Sequence, residues 1–548
     1  MFLGTNLGHG SAVALVNNEG ELIFAIEEER LNQIKNTDAY PKLALEIVNK
    51  KYGPYFSHFE GWHLWRRMYF KGIVHTIRYI NADTSYIKYR FIHEIKRLFR
   101  YIKLSQPKFV GHHKSHAYSL LPCGMESDTL IFVSDALGEN VCTSLYFWKN
   151  NKMIHLASSD YPNSIGSMYH QFAYHVGFRG RQGPGKLMAL SGYGSPIWYT
   201  ILKKYLRITK GKLQFNDYPI WKMREAWMHF ANNALDEKNT QELKLKEEIL
   251  KSKDNYELAI DLAASLQKLF NEVSLTIINQ GIDLLEEKGQ KTKAIGLVGG
   301  AALNCQSNGK IKRFYSSKKI NVIVSPWSDD GGTAIGAAYY AYYKSNSKQF
   351  NVLKSNPFLS HLPEDYKGFK LKTDQIKGVA KALQQGQIVA ISSGRMEFGP
   401  RALGGRCIIA KPTIENRDKL NAMKKRPSFM PFAPVVFKKD FKFFFEGEGS
   451  EYMAWTVKIK EQYKQDIIGA VHITNEARVQ VLNNESTSLL AKIMTHYKAV
   501  EGNSVLLLTS LNANREPISF TIMQSEKTSK KLGCDIFISD DRVVKFNQ

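Results

Sequence analysis

Two histidines in one short segment have the spacing of metal ligands. His112 and His116 lie four positions apart in GHHKSHA, residues 111–117. On a helix this separation places both imidazoles on one face, close enough to share a metal ion. Neutral imidazole binds zinc, iron, nickel and copper, so the spacing does not identify the metal. His113 points elsewhere and is a candidate for substrate contact or proton transfer. The alternative is a helix start with incidental histidines.

Two aspartates strengthen the metal interpretation. Asp135 follows a predicted strand over residues 129–134, and Asp330 lies in the glycine-rich turn at residues 329–332. In α/β sheets the carboxyl ends of strands are where chemistry is concentrated. A set of two histidines and two aspartates suits a divalent metal acting as a Lewis acid. For Asp135 alone, an ordinary turn aspartate is the alternative.

Glycine-rich turns offer two candidate phosphate sites. Gly299 and Gly300 end a predicted strand over residues 294–298, and Lys186 follows the turn at residues 183–185. Backbone amides in such turns can hold a phosphate or a nucleotide. Tight packing explains the same glycines equally well.

A second block of the chain concentrates arginines among glycines and prolines. The segment GRMEFGPRALGGR, residues 394–406, contains Arg401 and Arg406, which can each bind phosphate with two parallel hydrogen bonds. The alternative is a basic surface, against which the surrounding glycines and prolines argue. Further cations and polar donors that complete a candidate polyphosphate site are Lys424, Arg426, Arg478, Thr509, Ser510 and Asn512.

Composition narrows the class of protein. The 548 residues are 43% hydrophobic and 23% charged, which is ordinary for globular proteins and excludes disordered and collagen-like chains. The net charge of +24 favours anionic partners. Five scattered cysteines and a start without a basic flank before its apolar stretch predict a reduced, cytoplasmic protein without a signal peptide. No apolar run is long enough to predict a membrane span.

The predicted strands and helices that must position these residues indicate an α/β protein whose chain is divided into two blocks. A strand at 2–6 and a hairpin of runs 12–16 and 21–26 open the first block. Leucines and β-branched residues at helical spacing predict a helix over 258–287. Residues 346–375 read as a linker, and no internal repeat is evident. The other predicted elements are a strand at 322–324, a helix near 376–385 and strands at 387–391, 431–436 and 504–508.

Basic and aromatic residues alternate between positions 61 and 104. A docking surface for an acidic partner is one interpretation, and helices with an aromatic inner face and a solvated basic outer face are the other. No nucleic-acid-binding motif accompanies the charge, so no stable nucleic-acid partner is expected. An acidic carrier protein and a homodimer stay open as partners.

Taken together, these segments resemble the NodU/CmcH carbamoyltransferase family, which includes tobramycin, cephalosporin and nodulation-factor O-carbamoyltransferases. The motifs recur in the family's order along nearly the whole chain, and the arginine block at 394–406 is highly specific. The matching segments are EEER at 27–30 with Lys35, GHHKSHA at 111–117, SDALGE at 134–139, GKLMALSGYG at 185–194, GLVGGAALN at 296–304 and the Asp330 turn.

The resemblance implies a two-domain transferase. Residues 1–345 would form an ASKHA-fold (actin/hexokinase-like) carbamoyl-transfer domain, in which 61–104 is a basic aromatic insertion. Residues 376–548 would form a YrdC-like α/β domain that makes carbamoyl-adenylate. The metal ligands implied are His112, His116, Asp135 and Asp330, and Lys35 would pair with the adenylate phosphate.

The implied reaction is ATP-dependent O-carbamoylation. Carbamoyl phosphate and ATP (with Mg²⁺) would give carbamoyl-adenylate, and a hydroxyl of a small-molecule natural product would accept the carbamoyl group, as in antibiotic biosynthesis. Iron(II) is the metal expected at the histidine site, with Zn²⁺ or Mn²⁺ as alternatives. The alternative function is a tRNA threonylcarbamoyl-type modifying enzyme or an RNA-binding relative. The sequence does not identify the acceptor, the native metal or the oligomeric state.

Overall fold

The computed structural model describes residues 1–53, 57–60, 108–216, 226–346 and 350–546. Within these ranges the chain is a mixed α/β protein with several sheets. The basic aromatic segment 61–104 lies outside the described residues. The strands are β1 Phe2–Asn6, β2 Ala12–Val16, β3 Leu22–Glu27, β4 Ser57–Glu60, β5 Lys108–Phe109, β6 Thr129–Gly138, β7 Val141–Lys149, β8 Lys152–Asp160, β9 Leu206–Thr209, β10 Lys212–Phe215, β11 Ala294–Val298, β12 Asn321–Val324, β13 Val389–Ser392, β14 Arg406–Ala410, β15 Ala433–Phe437, β16 Val457–Lys458, β17 Glu476–Ala477, β18 Gln480–Leu482, β19 Leu506–Ser510, β20 Ile536–Ser539 and β21 Val543–Lys545.

The helices cover these sheets and connect their strands. They are α1 Glu28–Asn32, α2 Lys42–Tyr52, α3 His112–Tyr118, α4 Ile165–His175, α5 Gly183–Leu190, α6 Tyr199–Lys203, α7 Ala226–Asn233, α8 Thr240–Lys251, α9 Ile260–Glu286, α10 Cys305–Ser316, α11 Gly332–Ser345, α12 Thr373–Gln384, α13 Ile414–Met423, α14 Lys438–Phe444, α15 Leu489–Glu501 and α16 Ile522–Leu532.

Two five-stranded sheets in the first 345 residues share one topology. Their orders are β3-β2-β1-β4-β5 and β8-β7-β6-β11-β12. In each, the first three strands form an antiparallel meander, and two further strands add in parallel beside the first strand of the meander. This repetition was not predicted, because it lies in strand order and direction while the two sets of strands differ in sequence.

The apolar residues whose spacing predicts the long helix α9 are part of the hydrophobic core. The five apolar residues that predict it are all at most 2% exposed, so the predicted apolar face is buried against the second sheet and the helices around it. They are Leu262, Leu266, Leu269, Val273 and Ile277.

The last part of the chain forms a third sheet of seven strands. Its order is β18-β15-β19-β14-β13-β20-β21, with both parallel and antiparallel neighbours. The segment between α11 and α12, predicted as a linker, is tied to both sides of the molecule. The Ala25 amide donates to the Leu359 carbonyl at 3.1 Å, and the Lys370 amide donates to the Asp540 carbonyl at 2.7 Å.

Two further features concern the whole chain. Among the described residues, no helix combines the length and apolar character that crossing a membrane requires. All five cysteines are free thiols, and four of them are buried.

Candidate metal centre and adjoining cation cluster

Three elements bring the four predicted metal ligands together. His112 and His116 share one face of α3, which directly follows β5 and its two linking residues. Asp135 lies in β6, just past the last residue that pairs with β11. Asp330 lies in the turn that leads into α11, and α11 packs against both β1 and α3. The cluster therefore sits where the two related sheets meet.

The ligand atoms of these four residues lie within 4.8 Å of one another. The Nε2 atoms of His112 and His116 are 3.1 Å apart. Asp135 Oδ2 is 3.1 Å from His112 Nε2 and 3.4 Å from His116 Nε2. Asp330 Oδ1 is 3.7 and 3.9 Å from the same two nitrogens. Four such donors around one point form a compact set of two imidazoles and two carboxylates.

The two carboxylates of the cluster have opposite pKa shifts. Burial acts to raise the pKa of Asp135, but hydrogen bonds from His112 and His116 hold that pKa below its ordinary value. Burial and the Asp135 carboxylate raise the pKa of Asp330. Two carboxylates compete for the same pair of imidazoles, and a positive charge between them would relieve the conflict.

Neighbouring residues fix the first histidine. The Glu139 Oε1 atom accepts a hydrogen bond from the backbone amide of His112 at 3.1 Å, at the first turn of α3. Gly138 leaves space for two imidazoles, because a side chain there would overlap the rings of His112 and His113. This contact of Glu139 was not predicted, although Glu139 belongs to the SDALGE segment that matches the family.

His113 lies beside the cluster, next to His112. It is 3% exposed, and its Nδ1 lies 2.8 Å from Ser144 Oγ. Burial, followed by the neighbouring His112, lowers its pKa well below the ordinary value, so the ring is neutral. The ring thus packs beside the cluster with Nδ1 toward β7, and the role of His113 in substrate contact or proton transfer stays a prediction.

A buried ionic network lies beside the Asp330 turn. Arg30 is 3.0 Å from Glu29 and 2.5 Å from Glu27, and its Nη2 donates to the Gly399 carbonyl at 3.1 Å. Burial and the Glu27 carboxylate raise the pKa of Asp329 to about 8. Arg30 therefore connects the end of β3 with the loop that carries Arg401.

The predicted phosphate-binding arginines of the second block form a cation cluster. Burial and Arg478 lower the pKa of Arg401 to about 9 and that of Arg426 to about 10. Arg401 Nη2 donates to the Leu303 carbonyl at 3.4 Å. Cations placed so close together create a site that favours a polyanion.

Lys424 supports the turn that contains Ser510 and Asn512. Its Nζ donates to the Ser510 carbonyl at 2.6 Å, to the Asn512 carbonyl at 2.9 Å and to Asn512 Oδ1 at 3.1 Å. Burial and Arg426 lower its pKa to about 7. Ser510 Oγ also donates to Asn512 Oδ1 at 2.6 Å. Thr509 precedes this turn in β19 and is half-buried.

Arg406, predicted as a phosphate ligand, directs its guanidinium toward backbone carbonyls. Its side chain is fully buried. Its guanidinium donates to the backbone carbonyls of Phe520, Ser393, Gly405 and Gly394 at 2.8–3.2 Å. Most of its N–H groups thus bind backbone carbonyls, including two of the glycine-rich loop at residues 394–406.

Lys35 and Lys186 bring the first block to the cation cluster. Lys35 Nζ donates to Glu29 Oε1 at 3.0 Å and interacts electrostatically with Lys424. Lys186 interacts electrostatically with Arg426 and its pKa is lowered, first by burial. The two predicted cation sites of the first block and the second block therefore meet in one region.

The Gly299–Gly300 turn lies against the metal cluster. Gly299 has φ +92°, and a Cβ there would overlap the Ser134 carbonyl. A Cβ on Gly300 would lie 3.2 Å from Asp135 Oδ1. Close backbone approach therefore accounts for both glycines, and their contact with a phosphate stays a prediction.

Comparison with protein families now identifies the chain's relatives. The family model described as the carbamoyltransferase N-terminus matches residues 2–339, and that described as the carbamoyltransferase C-terminus matches residues 380–545. The chain belongs to the carbamoyltransferase family. It is an enzyme of that family, as the resemblance predicts.

Individual relatives cover the chain to different extents. An uncharacterized protein of Methanocaldococcus jannaschii is 27% identical, with 94% of each chain covered. Nodulation protein NolNO of Sinorhizobium fredii is 26% identical over 98% of this carbamoyltransferase and 79% of its own length. The 3'-hydroxymethylcephem-O-carbamoyltransferase of Amycolatopsis lactamdurans is 31% identical over 40% of this chain and 42% of its own.

Sequence reasoning missed the residues that join the two sites of this carbamoyltransferase. Arg30, Glu27 and Asp329 form the buried ionic network, and none was singled out for a role. The first two lie in the EEER segment, so the family motif marked them without indicating what they contact. Only the fold shows that the end of β3 faces the Gly399 loop.

Proposed function

We propose that this carbamoyltransferase is an ATP-dependent O-carbamoyltransferase. Residues 376–548 convert carbamoyl phosphate and ATP to carbamoyl-adenylate, and residues 1–345 transfer the carbamoyl group to a hydroxyl of a small-molecule natural product. The observation that carries the proposal is the meeting of a buried His–His–Asp–Asp cluster with a buried arginine–lysine cluster in one carbamoyltransferase chain. A relative named as a cephem O-carbamoyltransferase supports the hydroxyl acceptor.

The metal-binding residues fit a divalent first-row cation. His112, His116, Asp135 and Asp330 supply two nitrogen and two oxygen ligands within 4.8 Å of one another. This donor set suits iron(II), zinc or manganese. A bound divalent ion would act as a Lewis acid toward the carbamoyl carbonyl or the phosphate leaving group.

The cation cluster suits adenylate formation. Carbamoyl phosphate, ATP and one water would give carbamoyl-adenylate, phosphate and pyrophosphate, and every one of these species except water is anionic. Arg401 and Arg426 would bind the phosphates, with Arg478 beside them, and Mg²⁺ would accompany ATP. Lys424 would hold the 510–512 turn in position, since its Nζ contacts that turn directly.

Transfer follows next to the cation cluster. Lys35 and Lys186, which belong to the first block and interact with Lys424 and Arg426 of the second, would hold the adenylate phosphate as the acceptor oxygen attacks the carbamoyl carbon. AMP leaves, and the acceptor hydroxyl loses its proton. A short enclosed route is useful because a mixed anhydride hydrolyses in water.

The sheet topology supports the proposed domain folds. For residues 1–345 we propose the actin-like ASKHA fold, and two five-stranded sheets with one strand order support a duplicated architecture there. The seven-stranded mixed sheet belongs to residues 376–548, for which we propose the YrdC-like fold. The tRNA-modifying alternative depended on residues 61–104, which lie outside the described residues, and stays a prediction.

Separate half-reactions test the assignment of the two sites. We expect His116→Ala to retain carbamoyl-phosphate-dependent exchange of pyrophosphate into ATP and to lose carbamoyl transfer by at least 100-fold, about 2.7 kcal/mol. Arg401→Ala should lose the exchange itself. Metal analysis of the purified proteins supplies the control, because only His116→Ala should lose bound metal. Loss of the same half-reaction in both variants would show that the division into two sites is wrong.

A further inference from the structure

Four aromatic rings from both parts of the chain meet beside Lys186. The Phe429 ring centroid is 6.1 Å from that of Phe178, 6.1 Å from Tyr193 and 5.6 Å from Tyr256. Phe178 and Tyr256 stack at 5.1 Å. Phe429 comes from the second block, and the other three come from the first. We call these four residues the aromatic clasp.

The clasp adjoins the cation cluster and is partly exposed to solvent. Lys186 Nζ lies 5.8 Å from the Phe178 ring centroid, and the same lysine interacts with Arg426. Tyr193 is 44% exposed, whereas Phe178 is 4% exposed. The clasp thus contacts a lysine of the cluster through a buried ring and contacts water through an exposed ring.

Hydrogen bonds anchor both sides of the clasp. The Tyr193 hydroxyl donates to the Phe429 carbonyl at 3.5 Å. Beside it, His472 Nε2 lies 2.9 Å from the Ala189 carbonyl, which joins the second block to α5. The Tyr193 and His472 ring centroids are 5.8 Å apart. These contacts hold Phe429 between elements of the first block.

We propose that the aromatic clasp is a water barrier for the activated intermediate, with Phe429 as its central positioning residue. This inference rests on the proposed function. Four packed rings cover a large apolar area, and edge-to-face packing adds to their mutual attraction. Removing the Phe429 ring deletes its contacts with the other three rings of the clasp, while the Tyr193–His472 contact between the two blocks stays.

The reaction that the clasp prevents is hydrolysis of carbamoyl-adenylate. A water oxygen attacks the carbamoyl carbon, and the bond from that carbon to the phosphate oxygen breaks. Carbamate and AMP are released, and two protons pass to solvent. Carbamate then breaks down to bicarbonate and ammonium, so the leak is measurable as ammonium and AMP without any acceptor.

The test compares leakage with adenylate formation. In the full-length Phe429→Ala variant, AMP and ammonium release with ATP and carbamoyl phosphate alone should rise at least fivefold relative to pyrophosphate exchange. Phe429→Tyr keeps the ring and should restore the low ratio. Phe443→Ala is the matched control, because that side chain is 57% exposed on α14 and lies outside the clasp.

Two outcomes would overturn the inference. One is an unchanged ratio in a folded Phe429→Ala variant. The other concerns the case in which Phe429→Ala does not fold, and it uses Tyr193→Ala, which removes a 44% exposed ring. An unchanged ratio of AMP release to pyrophosphate exchange in Tyr193→Ala would then refute the clasp. A wild-type enzyme without carbamoyl-phosphate-dependent exchange would instead refute the proposed function, so the two failures are distinguishable.

Discussion

Arg30 is the residue at which the metal-side and phosphate-side loops meet. Its side chain is 3% exposed and makes ion pairs with Glu27 and Glu29. The same guanidinium donates to the Gly399 carbonyl. A buried arginine with two carboxylates and a carbonyl is costly to remove, because its partners then stay buried without compensation.

Replacing Arg30 should therefore destabilise the protein strongly. We expect Arg30→Met to lower the free energy of unfolding by about 3–5 kcal/mol, because Glu27 and Glu29 lose their buried partner. Arg179→Met is the control: Arg179 pairs with Asp254 while both side chains are about half exposed, and such pairs contribute about 0–1 kcal/mol. Urea unfolding measures both values. Equal losses in the two variants would contradict the role of burial.

The lowered pKa of Lys424 predicts that proton uptake on ligand binding depends on pH. Burial and Arg426 lower this pKa to about 7, so at pH 8 the amine of the free enzyme is mostly neutral and can keep only two of its three donated hydrogen bonds to the 510–512 turn. A bound polyphosphate raises the pKa, and binding of MgATP should take up nearly one proton at pH 8 and almost none below pH 6. Calorimetry in buffers of different ionisation enthalpy measures this uptake.

The matching variant tests the source of the proton. Lys424→Met should abolish the uptake at pH 8, whereas Lys419→Met, within helix α13 that ends just before Lys424, should leave it unchanged, because Lys419 is partly exposed. Uptake that persists in Lys424→Met would assign the proton to another group.

The sequence predicted which residues take part in the candidate site better than it predicted where their side chains point. The spacing of His112 and His116 and the placement of Asp135 after a strand were enough to bring four ligand candidates together. Arg406 carries the same charge as Arg401 in the same motif, yet only the fold shows that its guanidinium is used on backbone carbonyls. Direction depends on long-range packing, which spacing does not contain.

Helix α11 is the element that holds the metal-side helix in position. A Cβ on Gly336 would overlap the Ser115 carbonyl, which lies in α3 between the two metal-ligand histidines. On the neighbouring strand, a Cβ on Gly4 would overlap the Ala334 carbonyl of α11. Close contact of backbones at these two points sets the distance of α11 from both neighbours.

Gly336→Ala should separate these helices. We expect a loss of about 1–3 kcal/mol in unfolding free energy, because the added methyl group has no space beside Ser115. Metal affinity, measured by titration of the metal-free protein, should fall at least tenfold as His112 and His116 move. Gly378→Ala on α12 is the control, since nothing lies within 4 Å of its Cβ, and it should stabilise by about 0.5–1 kcal/mol. Destabilisation by both variants would point to a helix-wide effect instead.

Elements were predicted more fully than their assembly. The strand at Phe2–Asn6 and the strand at Ala294–Val298 have the bounds that their apolar runs predict, and the long helix starts and ends within two residues of its prediction. The shared topology of the two five-stranded sheets was missed. Strand order depends on pairings between distant segments, and local alternation of apolar and polar residues does not specify those pairings.

At the scale of the whole molecule, the two family-matched parts share a bonded interface. The Asn308 side chain donates to the Ala454 carbonyl at 2.8 Å, and Arg313 pairs with Glu476 at 3.0 Å. A Cβ on Gly309 would lie 2.7 Å from Thr456 Oγ1, so α10 approaches the second part closely. An interface of this kind couples the unfolding of one part to that of the other.

We therefore expect the intact protein to unfold in one cooperative thermal transition. Gly309→Leu should split this transition into two, because the added side chain pushes α10 away from Thr456 while leaving each part's own core unchanged. Gly378→Leu, where a side chain meets open space, should keep a single transition. Differential scanning calorimetry distinguishes these results. Two transitions in the wild-type protein, or one unshifted transition in Gly309→Leu, would mean that this contact does not couple the unfolding of the two parts. Other contacts would then have to hold the two sites together.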